Sequence, residues 1–200
     1  PRPDDFEFVT VTRGKPGKDR VLLETIWLSL GPYMRLRLDE RKSYAEPVAL
    51  GTTMVGEPLP RVIHSEAPSL PVGTLVRGRT GWETHPSAEA KDLVVIQEES
   101  EETSRRVLGL LGMTSMTAYC GLLDIGQPRA GETVVVGAAT GPVGSVVGQI
   151  SRVKGCKVVG IAGGPEKCSI AVKELGFGTC VDHRSPDFAS ELAAACPNGV

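Results

Sequence analysis

The segment from Ala138 to Gly144 consists almost entirely of small residues and lies between a β-branched run and an amphipathic run. Backbone N–H groups at the start of a helix bind a pyrophosphate when no side chain blocks their approach. Gly141 leaves that approach open, and Gly144 and Gly148 allow the helix to pack closely on a sheet. We therefore predict a dinucleotide site whose pyrophosphate loop consists of Ala139, Thr140, Gly141, Pro142, Val143 and Gly144.

The match to the dinucleotide fingerprint G-x-G-x-x-G is imperfect, because Ala139 occupies the position of its first glycine. The context favours the assignment, because the segment lies inside a strand–turn–helix–strand unit of the length that such sites have. The alternative is a glycine-rich turn that serves only the packing of a helix on a sheet.

The tip of the second predicted strand determines which dinucleotide the site prefers. An NAD-preferring site has a carboxylate there, which accepts hydrogen bonds from the ribose hydroxyls. This sequence instead reads Gly160-Ile161-Ala162-Gly163-Gly164-Pro165-Glu166-Lys167, with small residues at the tip and Lys167 within one helical turn. Since a 2′-phosphate needs space and a cation, we predict NADPH. The alternative for Lys167 is an ordinary solvent-facing lysine of a helix.

The elements that position these residues form a βαβ pattern in the second half of the chain. The predicted strands are Thr133–Val136, Lys157–Ala162 and Thr179–Val181. The first helix begins at Pro142, ends with Lys154 and Gly155, and buries Val143, Val146, Val147, Ile150 and Val153. A second helix runs from Pro165 to a stop at Gly176, and a third has Ser185 as its N-cap and is closed by Pro197.

Short apolar runs separated by turn residues fill the first half of the chain and predict a compact β domain. The runs are Val21–Leu30, Val48–Leu50, Arg61–Ile63, Thr74–Val76 and Leu93–Ile96. The acidic residues Glu98, Glu99, Glu101 and Glu102 predict a solvated loop and a helix start, and from Ser104 onward apolar residues recur at helical spacing. We predict two domains, residues 1–117 and residues 118–200.

Composition limits the partners of the chain. The formal net charge of -2, the pI near 6.0 and the lack of an apolar run of about 18 residues argue against nucleic-acid and membrane partners. They favour a small-molecule ligand and a soluble, cytoplasmic protein. All five cysteines lie at or beyond Cys120 without the spacing of a zinc knuckle, and neither His64 nor His85 has a companion at ligand spacing. We predict no metal site.

With these motifs, the chain resembles the zinc-independent branch of the medium-chain dehydrogenase/reductase superfamily, and within it the NADPH-dependent 2-alkenal, curcumin and prostaglandin reductases. The resemblance is colinear over nearly the whole chain and is carried by Trp27–Arg35, Gly81-Trp82, Leu111–Tyr119, Gly121–Gly126, Gly131–Val147 and Val159–Lys167. It implies an α/β fold, in which a GroES-like β-barrel domain precedes the first half of a Rossmann domain with its doubly wound parallel sheet.

The resemblance also implies residue roles and a reaction. It places Met113 and Thr117 beside the nicotinamide, Gly163, Lys167 and His183 at the 2′-phosphate, and Tyr33 and Tyr44 near the substrate cleft. The alternative for either tyrosine is an ordinary half-buried side chain. The implied reaction is hydride transfer from NADPH to the β-carbon of an α,β-unsaturated aldehyde or ketone, followed by protonation of the α-carbon. Without a Lewis acid, this conjugate reduction is easier than reduction of an isolated ketone.

The sequence departs from the family pattern at Gly31, at Ser115 and over Glu57–Pro60, positions that bear on substrate handling, and at His183, which can still donate to a phosphate. The family's proton-assisting tyrosine falls beyond Val200, so no catalytic residue is assigned. The predicted strands supply only the 3-2-1 part of the order 3-2-1-4-5-6, so we expect a longer protein, and the resemblance implies that it is a homodimer. A quinone reductase of the same fold and a non-catalytic NADPH-binding protein stay open as alternatives.

Overall fold

The chain forms two compact units in a computed structural model, Pro1–Ser104 and Arg105–Val200. The structure describes residues 2–97 and 100–200, so the part of the predicted acidic loop at Glu98 and Glu99 lies outside the described residues. The predicted domain boundary after Thr117 falls inside a helix of the second unit, Met113–Tyr119. Because this helix packs on the later helix Pro142–Val153, it belongs to the second unit, and the boundary between the units lies before it.

Antiparallel strands build the first unit. Its elements are β1 (Arg20–Ser29), the short helix α1 (Tyr33–Leu36), β2 (Glu57–Ser65), β3 (Val76–Arg77), β4 (Ser87–Glu89) and β5 (Val94–Val95). One sheet has the order β2-β1-β4, and β3 pairs with β5 in a second sheet. The alternating burial along β1 directs Val21 and Leu23 into a core that also contains Val62, Ala67, Leu70, Val76 and Leu93.

Two of the predicted strand positions in this unit are wrong. The run Val48–Leu50 is not a strand: the Val48 N–H donates to the carbonyl of Arg37 at 2.8 Å, and Leu50 is fully exposed. The run at Thr74 becomes a strand only from Val76, because the N–H of Thr74 closes a turn on Pro71. Strand β4 was not predicted, since Ser87, Ala88 and Glu89 form no apolar run; they pair with β1 through the backbone and through the Arg20 side chain, which contacts Ser87 and Glu89.

The altered stretch Glu57–Pro60 opens strand β2, with Pro58 and Pro60 fully buried. Proline cannot donate a hydrogen bond to a ladder, so it is confined to edge strands and irregular positions. Strand β2 lies at the edge of its sheet, and its register with β1 shifts between Thr25 and Trp27. This stretch therefore contributes to the hydrophobic core.

The second unit is a three-stranded parallel sheet with helices. Its elements are α2 (Glu101–Leu108, which begins just before the unit boundary), α3 (Met113–Tyr119), a π-helical segment (Cys120–Gly126), β6 (Thr133–Val136), α4 (Pro142–Val153), β7 (Lys157–Ala162), α5 (Pro165–Lys173), β8 (Thr179–Asp182) and α6 (Phe188–Ala195). The strand order is β6-β7-β8 with all pairs parallel, as the 3-2-1 part of a doubly wound sheet requires. The predicted fold class is confirmed.

Helix α4 packs on the sheet through small residues. Its buried residues are Gly144, Gly148 and Ser151, and a Cβ atom on Gly148 would lie 2.2 Å from the ring of Phe177. The predicted role of Gly144 and Gly148 in close packing is therefore correct. The predicted burial of Val153 is wrong, because its side chain is 87% exposed at the last turn, where the helix runs past the sheet core.

Helix α6 begins two residues after the predicted start. Its N-cap is Asp187, and Ser185 instead accepts a hydrogen bond from the Asp187 N–H and donates one to Glu191. Ser185 thus orders the turn before the helix. The start at Pro165 and the end near Gly176, which has a φ of 74°, were predicted correctly for α5.

No single helix among the described residues is both long and apolar enough to cross a membrane; Glu102–Leu108 and Met113–Gly126 reach that character only as a pair bent by 53°. Within the same described residues, no three His, Cys, Asp or Glu side chains are grouped to hold a metal ion.

Candidate functional site

The predicted phosphate loop is a tight turn that connects β6 to α4. Ala138 adopts a left-handed conformation with a φ of 48°, which brings its carbonyl oxygen to 2.7 Å from the N–H of Gly141. The N–H of Ala139 is bonded to the carbonyl of Ile161 on β7 at 3.0 Å, which ties the turn to the sheet. The loop is therefore held by backbone contacts, and small side chains suffice to form it.

The N-terminus of α4 is open. Its N-cap is Gly141, so no side chain caps the helix, and Pro142 at the first position carries no N–H. The N–H groups of Val143 and Gly144 in the first turn have no partner within the helix. These donors and the positive end of the helix dipole point the same way, which suits an anionic group such as a pyrophosphate.

Ala139 is fully buried and its N–H is bonded to the carbonyl of Ile161, so it shapes the loop and offers no free donor to a ligand. Its methyl group packs against Gly160 of β7, where an added Cβ atom would lie 2.9 Å from it. The methyl that departs from the glycine fingerprint is thus accommodated by a glycine on the neighbouring strand. This pairing explains how the loop keeps its shape with alanine at the first glycine position.

Gly163 and His183 come together beyond the carboxyl ends of β7 and β8. A Cβ atom on Gly163 would lie 2.9 Å from Nε2 of His183, and 3.3 Å from Nε of Arg184. The space above Gly163 is therefore bordered by an imidazole and a guanidinium. This is the surface that a phosphate on a ribose at this sheet edge would meet.

Arg184 was missed in the sequence analysis. It directly follows His183 after β8, and the carboxyl ends of β7 and β8 lie side by side because these strands pair in parallel. It could have been identified from the sequence because it comes just after β8, the strand predicted to lie beside the glycine-rich end of β7.

Asp182 connects the two strand ends. One of its carboxylate oxygens accepts hydrogen bonds from the N–H of Arg184 at 3.0 Å and from the N–H of Gly164 at 2.9 Å. These two bonds, that of Arg184 first, hold the pKa of the Asp182 carboxyl below its ordinary value of 3.8. The charged carboxylate therefore fixes the backbone on both sides of the candidate phosphate pocket.

We expect Asp182→Asn to lower the free energy of unfolding at neutral pH, by an amount that shrinks as the pH falls. The pKa of Asp182 is lowered in the folded state, so its stabilisation is complete above the unfolded value of 3.8 and is lost as the pH falls through the folded pKa. Urea unfolding of both proteins from about pH 7 down to about pH 3 measures this difference. Glu174→Gln, at an exposed position after α5, is the control. A difference that grows toward acid would contradict the assignment.

Of the remaining predicted nucleotide residues, Thr140 is half-buried in the turn before α4, and the other three lie on exposed helix surfaces of the second unit. Lys167 occupies the first turn of α5, next to the glycines that end β7. Met113 and Thr117 lie one turn apart on α3, so they share a face of that helix. The Thr117 hydroxyl donates to the Met113 carbonyl at 2.8 Å, which orients the side chain along the helix.

The two predicted substrate residues are neighbours in the first unit. Tyr33 begins α1 and is half-buried, and Tyr44 is exposed. Burial first, and then the Glu57 carboxylate, raise the pKa of Tyr33 above its ordinary value of 10.0, and Tyr44 adds to the rise. Arg79 and Arg37 oppose it. Tyr33 is therefore a protonated hydrogen-bond donor at neutral pH.

Comparison with known proteins finds oxidoreductases that resemble this chain over both units. A family model described as the N-terminal domain of oxidoreductase matches residues 1–96. The chain is 49% identical over 200 residues to the NADPH-dependent curcumin reductase of Escherichia coli (strain K12). The match covers 100% of this chain and 58% of that protein. It is 40% identical over 202 residues to prostaglandin reductase 1 of Oryctolagus cuniculus, of which it covers 56%.

Solved structures of reductases also resemble this chain. The crystal structure of CurA in complex with NADPH from Vibrio vulnificus superposes with a TM-score of 0.94 at 44% identity, over 100% of this chain and 59% of that one. The CurK enoyl reductase, at 22% identity and a TM-score of 0.65, shares the fold. The chain thus spans a little under three fifths of the length of the curated relatives, 58% and 56% of the two named above.

Proposed function

We propose that this chain belongs to the zinc-independent branch of the medium-chain dehydrogenase/reductase superfamily, and that the complete protein is an NADPH-dependent reductase. The observation that carries the coenzyme assignment is the pocket above Gly163, which is bordered by His183 and Arg184. The tip of β7 has glycines where an NAD-preferring site has a carboxylate. These features support a 2′-phosphate as the ligand of this pocket.

The residues of this chain fit the coenzyme along one sheet edge. The open N–H groups of Val143 and Gly144 would hold the pyrophosphate, and the pocket above Gly163 would hold the adenosine phosphate. NADPH, when bound, supplies the hydride. Met113 and Thr117 on the exposed face of α3 would contact the nicotinamide by family position, and their task would be to orient it.

We propose the carbon–carbon double bond of an α,β-unsaturated aldehyde or ketone as the group reduced. A hydride is added to the β-carbon and a proton to the α-carbon, so the double bond takes up two electrons and two hydrogens. The relatives named as curcumin, prostaglandin and 2-alkenal reductases support this class; the last, from Nicotiana tabacum, is 34% identical over 205 residues. Tyr33, which keeps its proton at neutral pH, is a donor suited to hold the substrate carbonyl oxygen.

A turnover assay on the complete protein tests this function. NADPH oxidation is followed by absorbance at about 340 nm with 2-nonenal, with the saturated aldehyde nonanal as the matched control substrate and with a quinone. We expect oxidation with 2-nonenal and none with nonanal, because only the former has the conjugated double bond. Turnover of the quinone alone would contradict the proposal in favour of a quinone reductase. NADPH binding without turnover of any of the three would contradict it in favour of a binding protein.

A further inference from the structure

Arg184 lies across the glycines that end β7. A Cβ atom on Gly163 would be 3.3 Å from its Nε and 3.4 Å from its Cζ, and one on Gly164 would be 3.7 Å from Nη1. The guanidinium therefore covers the tip where the ribose of a dinucleotide would lie. A side chain at either glycine would occupy the space next to the guanidinium.

The backbone of Arg184 is held by a hydrogen bond, while its guanidinium can bind a ligand. Its N–H donates to the Asp182 carboxylate, which also accepts the N–H of Gly164. Among the residues that the structure describes, no carboxylate forms a salt bridge with the guanidinium, although the Arg184 charge helps to lower the pKa of the Asp182 carboxyl. Within these residues, the sheet edge therefore presents a cation that no salt bridge neutralises.

The chemistry of the two nearby cations differs. A guanidinium has a planar fork of N–H donors that matches two oxygens of a phosphate and stays charged at any physiological pH. Lys167 is a point charge on a flexible stem in the first turn of α5. Both side chains lose rotamer freedom on binding, but the planar fork of arginine loses less of it for each hydrogen bond formed.

We propose that Arg184 is the residue that determines the preference for NADPH over NADH, by pairing with the 2′-phosphate. The proposal rests on the proposed function, because it assigns one residue of the same coenzyme site. His183, whose Nε2 lies 2.9 Å from the same Cβ position of Gly163, also borders the pocket. The 2′-hydroxyl of NADH carries no charge and gains little from the guanidinium.

Binding titrations of the complete protein with NADPH and with NADH test this role. We expect Arg184→Ala to weaken NADPH about tenfold or more, as the loss of charge-assisted hydrogen bonds implies, and to leave NADH within about twofold. Arg184→Lys should restore only part of the loss, because it keeps the charge without the fork. Arg129→Ala, an exposed arginine of the same unit, should change neither affinity. The midpoint of urea unfolding should be the same for all four proteins.

The outcomes separate this role from the proposed function. A wild-type protein that prefers NADPH and an Arg184→Ala variant that keeps the full preference would overturn the role of Arg184 alone. An equal weakening of NADPH and NADH would also overturn it, because it would show a merely structural role. A wild-type protein that binds NADH as tightly as NADPH would overturn the proposed function and the role together.

Discussion

Gly163→Asp should reverse the nucleotide preference, with NADPH binding weakened by about 100-fold or more. The Cβ atom of the new aspartate would lie 2.9 Å from Nε2 of His183 and 3.3 Å from Nε of Arg184, so its carboxylate would pair with the Arg184 guanidinium and repel a 2′-phosphate. The same carboxylate at a strand tip accepts the ribose hydroxyls of NADH. We therefore expect NADH to bind as well as or better than it does to the wild-type protein. Titration with each nucleotide measures both changes.

The matched control for this substitution is Gly163→Asn, which adds nearly the same volume without a charge. The asparagine variant should weaken NADPH less than the aspartate variant does, and it should not strengthen NADH. Gly163 lacks a positive φ, so neither side chain strains the backbone. An aspartate variant that still prefers NADPH would contradict the location of the 2′-phosphate pocket.

Gly144→Ala should lower both the stability of the protein and its affinity for either nucleotide. The added Cβ atom would lie 2.4 Å from the carbonyl oxygen of Ala138 and 3.1 Å from that of Gly137. Both obstacles are backbone atoms of the phosphate loop, so the loop or the helix must move. We expect a loss of about 1–3 kcal/mol in the free energy of unfolding, as for other overpacked sites. Binding of NADPH and NADH should weaken together by about tenfold.

Gly137→Ala is the control for the stability part of this prediction, because a Cβ atom there meets nothing within 4 Å. Its free energy of unfolding should stay within about 0.5 kcal/mol of the wild-type value. Urea unfolding and nucleotide titration on all three proteins give the comparison. A Gly144→Ala variant as stable as Gly137→Ala would contradict the close packing of α4 on the loop.

The parallel half of the fold could be predicted because local signals agree there. Strand β7 matches its predicted range of Lys157–Ala162, and α4 starts at the predicted Pro142. A β-branched run, a proline at a helix start and a glycine at its end each constrain the backbone within a few residues. The elements that depend on partners distant in the sequence were harder to predict. Strand β4 is polar and exists because β1 offers it hydrogen bonds.

The site could be predicted in part, because its sequence motif determines the loop but not the side chains that surround it. Gly163 and His183 were expected at one pocket, and the structure brings them together. Arg184 depends on the parallel pairing of β7 with β8, which brings its strand end beside Gly163. The burial of Val153 was predicted wrongly because hydrophobicity alone does not show that it lies in the last turn of α4, where its side chain is exposed.

In the proposed function, this sheet edge binds a dinucleotide through its 2′-phosphate. A fluorescence titration of the complete wild-type protein with NADPH and with NADH, at equal ionic strength, tests it most directly. The pocket of Gly163, His183 and Arg184 predicts that NADPH binds about tenfold more tightly or better. Equal affinity for the two nucleotides, or tighter binding of NADH, would contradict it.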